Sequence, residues 1–221
     1  MTASEAYEKF LIKSEKNSVN DGLSTDKGRF VKIYNEYQNR FVEYTYEKKN
    51  EDDLRYIQSL LIESNNIQKK GKEKNYYYFE LPKDYFDLST VYGKGSKNKC
   101  VNKHIDLFEI KDFDRNQVLS DEFTSPSFEY REAPYIISDN TIKTFVTDFS
   151  VDDIVLSYYR YPKQITQLDP DNPESQLDDS FKLDFDDKVI DRIISATVGG
   201  FDLNNNSDRW QLHNVTSKTE L

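Results

Sequence analysis

The spacing of the apolar residues changes twice along this chain, and the two changes divide it into three parts. Over residues 3–61 apolar residues recur every three or four positions, which is the period of an α-helix. Between residues 76 and 161 they form short runs rich in aromatic and β-branched residues, which favour strands. Helical spacing returns at residues 184–201. This order predicts an α+β fold: a helical bundle formed by both chain ends, with an inserted antiparallel β-sheet or small-barrel lobe.

Three helices are predicted in the N-terminal part of the bundle, residues 1–70. Thr2 and Glu5 have the spacing of a capping box, which places the first helix at about residues 3–16. Ser24 or Thr25 can cap a second helix that ends near residue 48. A third helix is expected over about residues 50–65, followed by a lysine-rich linker.

The β lobe is predicted over residues 75–166. Its strand candidates are the runs 76–79, 105–110, 128–130, 135–137, 142–146 and 154–161. Two of these runs are separated by Ser138-Asp139-Asn140-Thr141, which predicts a tight hairpin. Aspartate and asparagine tolerate the left-handed backbone that a two-residue turn requires.

The C-terminal part is expected to begin with an exposed loop or arm at residues 167–183, which are polar and rich in proline. Asp184 is predicted to cap a helix over residues 184–201 that ends at Gly199-Gly200. Apolar residues lie on most sides of this helix, so it needs several partners and is predicted to complete the bundle. Residues 202–221 are expected to form an extended tail, whose Trp210 is suited to anchor on a neighbouring subunit.

Aromatic residues supply much of the apolar surface of this chain. Hydrophobic residues make up 36% and charged residues 32%, values close to those of disordered proteins, but 16 Tyr and 14 Phe argue for a folded chain. Tyrosine can keep its hydroxyl hydrogen-bonded at a wet surface. So many tyrosines therefore predict much half-buried surface, of the kind found at subunit interfaces.

The formal net charge is -10, and the acidic residues are spread along the chain. This argues against tight nucleic-acid binding, which requires lysines and arginines gathered on one face. A negative surface suits a protein that DNA must pass without sticking, because like charges repel. The sequence shows no signal peptide and no apolar run of membrane-spanning length, so we expect synthesis in the host cytoplasm and no membrane contact.

Few residues have a spacing typical of an active site. Cys100 and His104 lie four positions apart, but no further Cys or His completes a metal site or a catalytic set. Asp184, Asp186 and Asp187 resemble a magnesium site, yet acidic residues at a helix start are also what the helix dipole favours. We therefore predict no enzymatic activity, no catalytic residues, no metal and no cofactor.

Several stretches resemble a known class of proteins. They are GRFVKIYNEYQNRFV at 28–42, DDLRYIQSLL at 52–61, LPKDY at 81–85, SPSFEY at 125–130 and VLSYYRYP at 155–162. In this order they resemble the head-to-tail connector and tail-tube ring proteins of short-tailed bacteriophages, with the ring proteins of crAss-like phages as the nearest match. The resemblance spans roughly residues 25–200.

The resemblance implies a virion protein: a structural subunit of a cyclic, dodecameric homo-oligomer at the head-tail junction or in the tail. Such a ring docks on the portal and on adjacent ring or tail proteins, and genomic DNA passes through its lumen as cargo during ejection. Two other interpretations stay open at this point. One is a tail-associated module that binds a receptor or carbohydrate through the β lobe, and the other is a hydrolase that uses scattered carboxylates.

Overall fold

A computed structural model describes residues 1–17, 26–48, 54–169, 171–172 and 175–205. The chain divides into two compact units. Unit 1 combines Met1–Leu60 with Tyr161–Leu221, and unit 2 is the continuous segment Leu61–Arg160.

The described helices are α1 (Ala3–Asn17), α2 (Lys27–Lys48), α3 (Arg115–Ser120) and α4 (Asp187–Asn205), and 3-10 turns occur at Arg55–Leu60 and Asp112–Asp114. The strands are β1 (Leu61–Gln68), β2 (Gly71–Glu73), β3 (Tyr76–Glu80), β4 (Tyr85–Lys97), β5 (Cys100–Glu109), β6 (Glu132–Ser138), β7 (Thr141–Phe145) and β8 (Ser150–Arg160).

Unit 2 is built on one curled, mixed sheet with the strand order β1-β8-β4-β5-β6-β7-β3-β2. Its paired strands run antiparallel except β5 and β6, which are parallel. The two edge strands, β1 and β2, are consecutive in the chain and are separated only by Lys69 and Lys70. Since β1 pairs with β8 and β2 pairs with β3, the two edges must lie near each other, which curls the sheet into a half-barrel.

A continuous apolar core lies against this sheet. Its fully buried members include Phe79, Ile105, Ile142, Ile154 and Leu156, which come from four different strands. Side chains that are distant in sequence therefore pack together on this sheet, as expected for a curled sheet with its own core.

Glycines allow β4 to pass close to its neighbours in the sheet. A Cβ atom added at Gly95 would lie 2.7 Å from Cγ1 of Ile105 and 3.1 Å from the carbonyl oxygen of Ser150. This crowding explains why a central strand contains the sequence Gly-Lys-Gly, which in a sequence indicates a loop.

In unit 1, aromatic side chains connect α1 and α2. The ring centroids of Tyr7 and Phe30 are 5.1 Å apart, and those of Phe10 and Phe30 are 5.0 Å apart. On the other side of α2, the Asn35 side chain makes two hydrogen bonds of 2.8 and 2.9 Å with the backbone of Ile165. The chain around Ile165 is thus held against α2 by specific contacts.

The predicted helical bundle formed by both chain ends, with an antiparallel lobe inserted, is wrong. It required a third N-terminal helix, but residues 55–68 form a 3-10 turn and β1. The helices α1, α2 and α4 of unit 1 pack together with the irregular segment 161–186, which buries Ile165, Leu183 and Phe185. The result is an α+β fold with a few helices and an eight-stranded sheet, and the parallel pair β5–β6 makes that sheet mixed.

Several other local predictions differ from the structure. The expected arm at 167–183 buries Leu177 and Leu183, so it is not exposed throughout, although its proline-rich centre lies partly outside the described residues. Residues 128–130 form a turn, and β4 was not predicted at all. Helix α4 starts after Asp186 and continues through Gly199-Gly200 to Asn205. The expected tail with Trp210 lies outside the described residues from position 206 onward.

Other predictions are confirmed. Helices α1 and α2 match the expected ranges closely. The Thr2 backbone N–H donates to Glu5 Oε2 at 2.8 Å, and the Glu5 N–H donates to the Thr2 hydroxyl at 3.3 Å, which is the geometry of a capping box. Asp139 and Asn140 both have positive φ in the tight turn between β6 and β7.

Candidate functional site

Cys100 and His104 do not form a catalytic pair. Cys100 is exposed at the start of β5, and His104 lies four positions further along the same strand, on the order of 10 Å away. The Nε2 atom of His104 lies 2.9 Å from Oδ1 of Asp106, and its imidazole stacks on the Tyr92 ring with centroids 4.4 Å apart. These contacts hold the histidine at an exposed surface of the sheet.

The three aspartates that resemble a magnesium site have separate structural roles. Asp184 Oδ2 accepts a hydrogen bond from the Lys163 backbone N–H at 2.7 Å. Asp186 Oδ1 accepts one from the Val189 N–H at 2.8 Å, which makes Asp186 the N-cap of α4 in place of Asp184. Asp187 is exposed in the first turn of α4. Among the described residues, no group of three or more His, Cys, Asp or Glu side chains is arranged to hold a metal ion.

The longest run of exposed residues in unit 2 is at the β4–β5 hairpin, residues 98–104. We call this segment the hairpin tip. Asn98 and Asn102 have positive φ, which lets the chain turn and bulge there. From Lys94 to Ile105 the hairpin contains four lysines and no acidic residue, in a chain with a net charge of -10.

One lysine, which directly precedes the hairpin turn and pairs with Cys100 across it, is neutralised within the chain. The ammonium nitrogen of Lys97 lies 2.7 Å from Glu129 Oε1 and 2.6 Å from Asp148 Oδ2. These hydrogen-bonded ion pairs raise the pKa of Lys97 and lower the pKa values of Glu129 and Asp148. They also connect the hairpin to the segment that precedes β6. Lys99, in the turn, and Lys103, which pairs with Gly95 further along the hairpin, make no ion pair with any described residue.

The connection from β5 to β6, residues 111–131, exposes three large aromatic rings. We call this connection the aromatic crossover. Phe113 is 79% exposed, Phe123 90% and Tyr130 81%. The crossover is acidic as well, because it contains five carboxylates against three basic residues. Exposed rings in such number are unusual on the surface of a monomer and are typical of a surface that binds a partner.

The aromatic crossover is held on the sheet rather than hanging free. Val118 and Leu119 of α3 pack on a small apolar cluster formed by Ile110, Ile136 and Phe145. At its far end, Ser127 and Glu132 exchange two backbone hydrogen bonds of 2.9 and 3.0 Å. The exposed rings are therefore presented by an ordered support.

A groove of about 660 Å³ lies where β5 ends and the aromatic crossover begins. Charged side chains of both signs, Lys111, Asp112, Arg115 and Lys143, line it together with Phe113. Arg115 and Asp112 form an ion pair of 3.3 Å there, and the groove is open to solvent.

No helix in the described residues is long and apolar enough to span a membrane.

Sequence reasoning missed both surfaces. The lysines of the hairpin tip were visible as a basic, acid-free stretch, but β4 was not predicted, so no hairpin was expected there. The exposure of Phe113, Phe123 and Tyr130 was not predictable, because aromatic residues in a sequence ordinarily indicate buried positions.

Comparison with known proteins adds no family. No protein-family model matches the chain, and no curated protein matches it significantly.

Proposed function

We propose that this chain is a structural subunit of a cyclic, dodecameric ring in the head-tail connector or tail tube of a bacteriophage. The ring would form part of the channel through which the genome is ejected, with the portal and adjacent ring or tail proteins as its neighbours. In this proposal the chain is not an enzyme, needs no cofactor, and meets DNA only as it passes.

The observation that carries this proposal is the pair of exposed, ordered surfaces on unit 2. A basic hairpin tip and an acidic crossover with three exposed rings are suited to contact other protein surfaces. The sequence resemblance given by the five stretches between residues 28 and 162 supports the same assignment. In a closed ring each subunit offers two different faces to its neighbours, so such surfaces are covered when the ring closes.

Quantitative mass spectrometry of purified phage particles tests this proposal. We expect the polypeptide to be present in about the same copy number as the portal subunits, and electron microscopy of intact particles should place it in a ring at the head-tail junction or in the tail. Its absence from particles, or its presence at one or two copies, would contradict the proposal.

A tail-associated binding module is the second candidate, and the exposed rings of Phe123 and Tyr130 favour it, since aromatic platforms commonly bind sugars. The two candidates are separated by a glycan array and an adsorption assay. If the chain is a binding module, Phe123→Ala should reduce adsorption to the host while particles still assemble. If it is a ring subunit, the same substitution should reduce the assembly of particles.

A further inference from the structure

We propose that the hairpin tip of one copy of this chain docks on the aromatic crossover of a second copy. This inference rests on the proposed ring function and assigns the two faces that would meet between neighbouring subunits. The contact pairs lysines with carboxylates and places lysine stems and Val101 against the exposed aromatic rings.

The hairpin tip has groups that no described residue of its own copy satisfies. Val101 is 61% exposed, and the described residues offer no ion-pair partner to Lys99 or Lys103 on either side of it. An apolar side chain between two lysines is a surface that a partner with carboxylates around an apolar centre complements well.

The aromatic crossover has that complementary pattern. Phe123 is the most exposed of its rings, and Asp121 and Glu122 directly precede it. Asp121 Oδ1 accepts the Phe123 backbone N–H at 3.0 Å, which fixes the turn, whereas Glu122 is exposed and free to meet a lysine. A lysine that approaches this turn finds a carboxylate and a ring face together.

The same kind of contact already exists inside the crossover. The Lys111 ammonium nitrogen lies 5.7 Å from the centroid of the Phe113 ring, a cation–π distance. Phe123 and Tyr130 are the more exposed pair and are left for a lysine from elsewhere. Lysine stems pack well on such rings while the charge stays near water.

Net charge favours this pair of surfaces over others. Two copies that each have a net charge of -10 repel each other, so a local region of opposite sign favours a contact between them. Within one copy Lys97 pairs with Glu129, and Arg115 pairs with Asp112. The charges offered to a second copy are therefore Lys99 and Lys103 on the tip and carboxylates such as Glu122 on the crossover. When the tip of each copy docks on one neighbour and its crossover receives the tip of another, the contact is heterologous, which is the type that closes into rings.

The ion pairs of Lys97 prepare the contact. They join the residue directly before the hairpin turn to Glu129 and Asp148 in the same copy, so the turn is held in position before docking. Preorganisation of this kind lowers the entropy that association costs.

Charge reversal at the tip tests the proposal. We expect the variant Lys99→Glu/Lys103→Glu to associate about 30-fold or more weakly than the wild type in analytical ultracentrifugation, because it places like charges opposite each other. The variant Lys74→Glu/Lys83→Glu is the matched control: it changes two exposed lysines elsewhere on unit 2 and alters the net charge equally. Circular dichroism and thermal unfolding verify that both variants are folded.

A mixing experiment identifies the partner surface. The Glu122→Lys variant, with lysines on both faces, should associate weakly alone, as should Lys99→Glu/Lys103→Glu. An equimolar mixture of the two should recover association, because each contact in an alternating assembly then pairs opposite charges. Phe123→Ala should weaken association at both low and high salt, whereas the charge effects should shrink between about 0.1 M and about 1 M NaCl.

Three results would overturn the docking proposal: a wild-type chain that stays monomeric at all concentrations, tip variants that associate like the control, or a mixture that does not recover. A monomeric chain whose tip variant loses binding to a short DNA duplex would assign the tip to nucleic acid instead. These outcomes leave the proposed function intact if particles contain many copies, whereas absence from particles contradicts the ring itself.

Discussion

At the scale of single residues, two buried tyrosines differ in what their hydroxyl groups contact. The hydroxyl of Tyr34 in unit 1 is buried and has no hydrogen-bond partner in the described part of the chain. The hydroxyl of Tyr158 in unit 2 donates to Asp84 Oδ1 at 3.1 Å. The same chemical change at these two positions should therefore have opposite consequences.

We predict that Tyr34→Phe leaves the free energy of unfolding unchanged or raises it by up to about 1 kcal/mol, because it removes a buried polar group without a partner. Tyr158→Phe should lower the free energy of unfolding by about 0.5–1.5 kcal/mol, because it removes a hydrogen bond. Urea denaturation of the two variants measures this difference. Equal losses of stability in both variants would show that the Tyr34 hydroxyl has a partner.

The close packing of β4 gives a second prediction. Gly95→Ala should destabilise the chain by about 1–3 kcal/mol, because its Cβ would overlap Ile105 within a packed core. Gly28→Ala is the control: Gly28 lies in the first turn of α2, its added Cβ would be 3.3 Å from the flexible end of Gln167, and alanine favours a helix. Thermal unfolding should show a clear loss for Gly95→Ala, and a gain or no change for Gly28→Ala.

At the scale of elements, the turn between β6 and β7 depends on backbone conformation. Asp139 and Asn140 have φ values of 50° and 58°, which β-branched residues and alanine adopt with difficulty. The Asn140 carbonyl oxygen also accepts the Leu81 backbone N–H at 3.0 Å, an interaction that any residue at position 140 can keep.

We predict that Asn140→Ala destabilises the chain by about 1 kcal/mol, whereas Asn140→Gly is neutral or stabilising, because glycine adopts positive φ without strain. Chemical denaturation of both variants checks this ordering. If alanine were tolerated as well as glycine, the turn in solution would not have the left-handed conformation described above.

At the scale of the whole molecule, burial of tyrosines predicts sensitivity to alkaline pH. Burial is the main cause that raises the pKa values of Tyr135 and Tyr158 to about 12. In the unfolded chain tyrosine has a pKa of about 10. The folded state therefore favours the protonated form, and this contribution to stability is complete below about pH 10 and is lost as pH rises toward 12.

The melting temperature should accordingly fall between about pH 10 and pH 12, and the variant Tyr135→Phe/Tyr158→Phe should show a shallower fall over that interval. Differential scanning calorimetry at several pH values measures both profiles. If the melting temperature fell equally in the wild type and the variant, the loss of stability at alkaline pH would come from other groups. Lys97 is one such group, because its ion pairs disappear when it deprotonates.

Association between copies should also affect the stability of the whole molecule. If the two surfaces of unit 2 meet between copies, the stability of the chain depends on its concentration, because association stabilises the folded state by mass action. The Lys99→Glu/Lys103→Glu variant should lose this concentration dependence, and the lysine control at positions 74 and 83 should keep it.

Local signals in the sequence determined the first two helices and one tight turn of this protein well. The capping box at Thr2 and Glu5, the apolar spacing of α1 and α2, and the turn at Asp139-Asn140 depend on interactions between residues close in sequence, so they are predictable from it. The tertiary structure decided the rest. Residues 61–68 form a strand because β8 pairs with them, and β4 tolerates glycines because Ile105 occupies the space beside Gly95. The exposure of Phe123 and the connection of Lys97 to Glu129 depend on which distant segments lie side by side, and no local pattern records that arrangement.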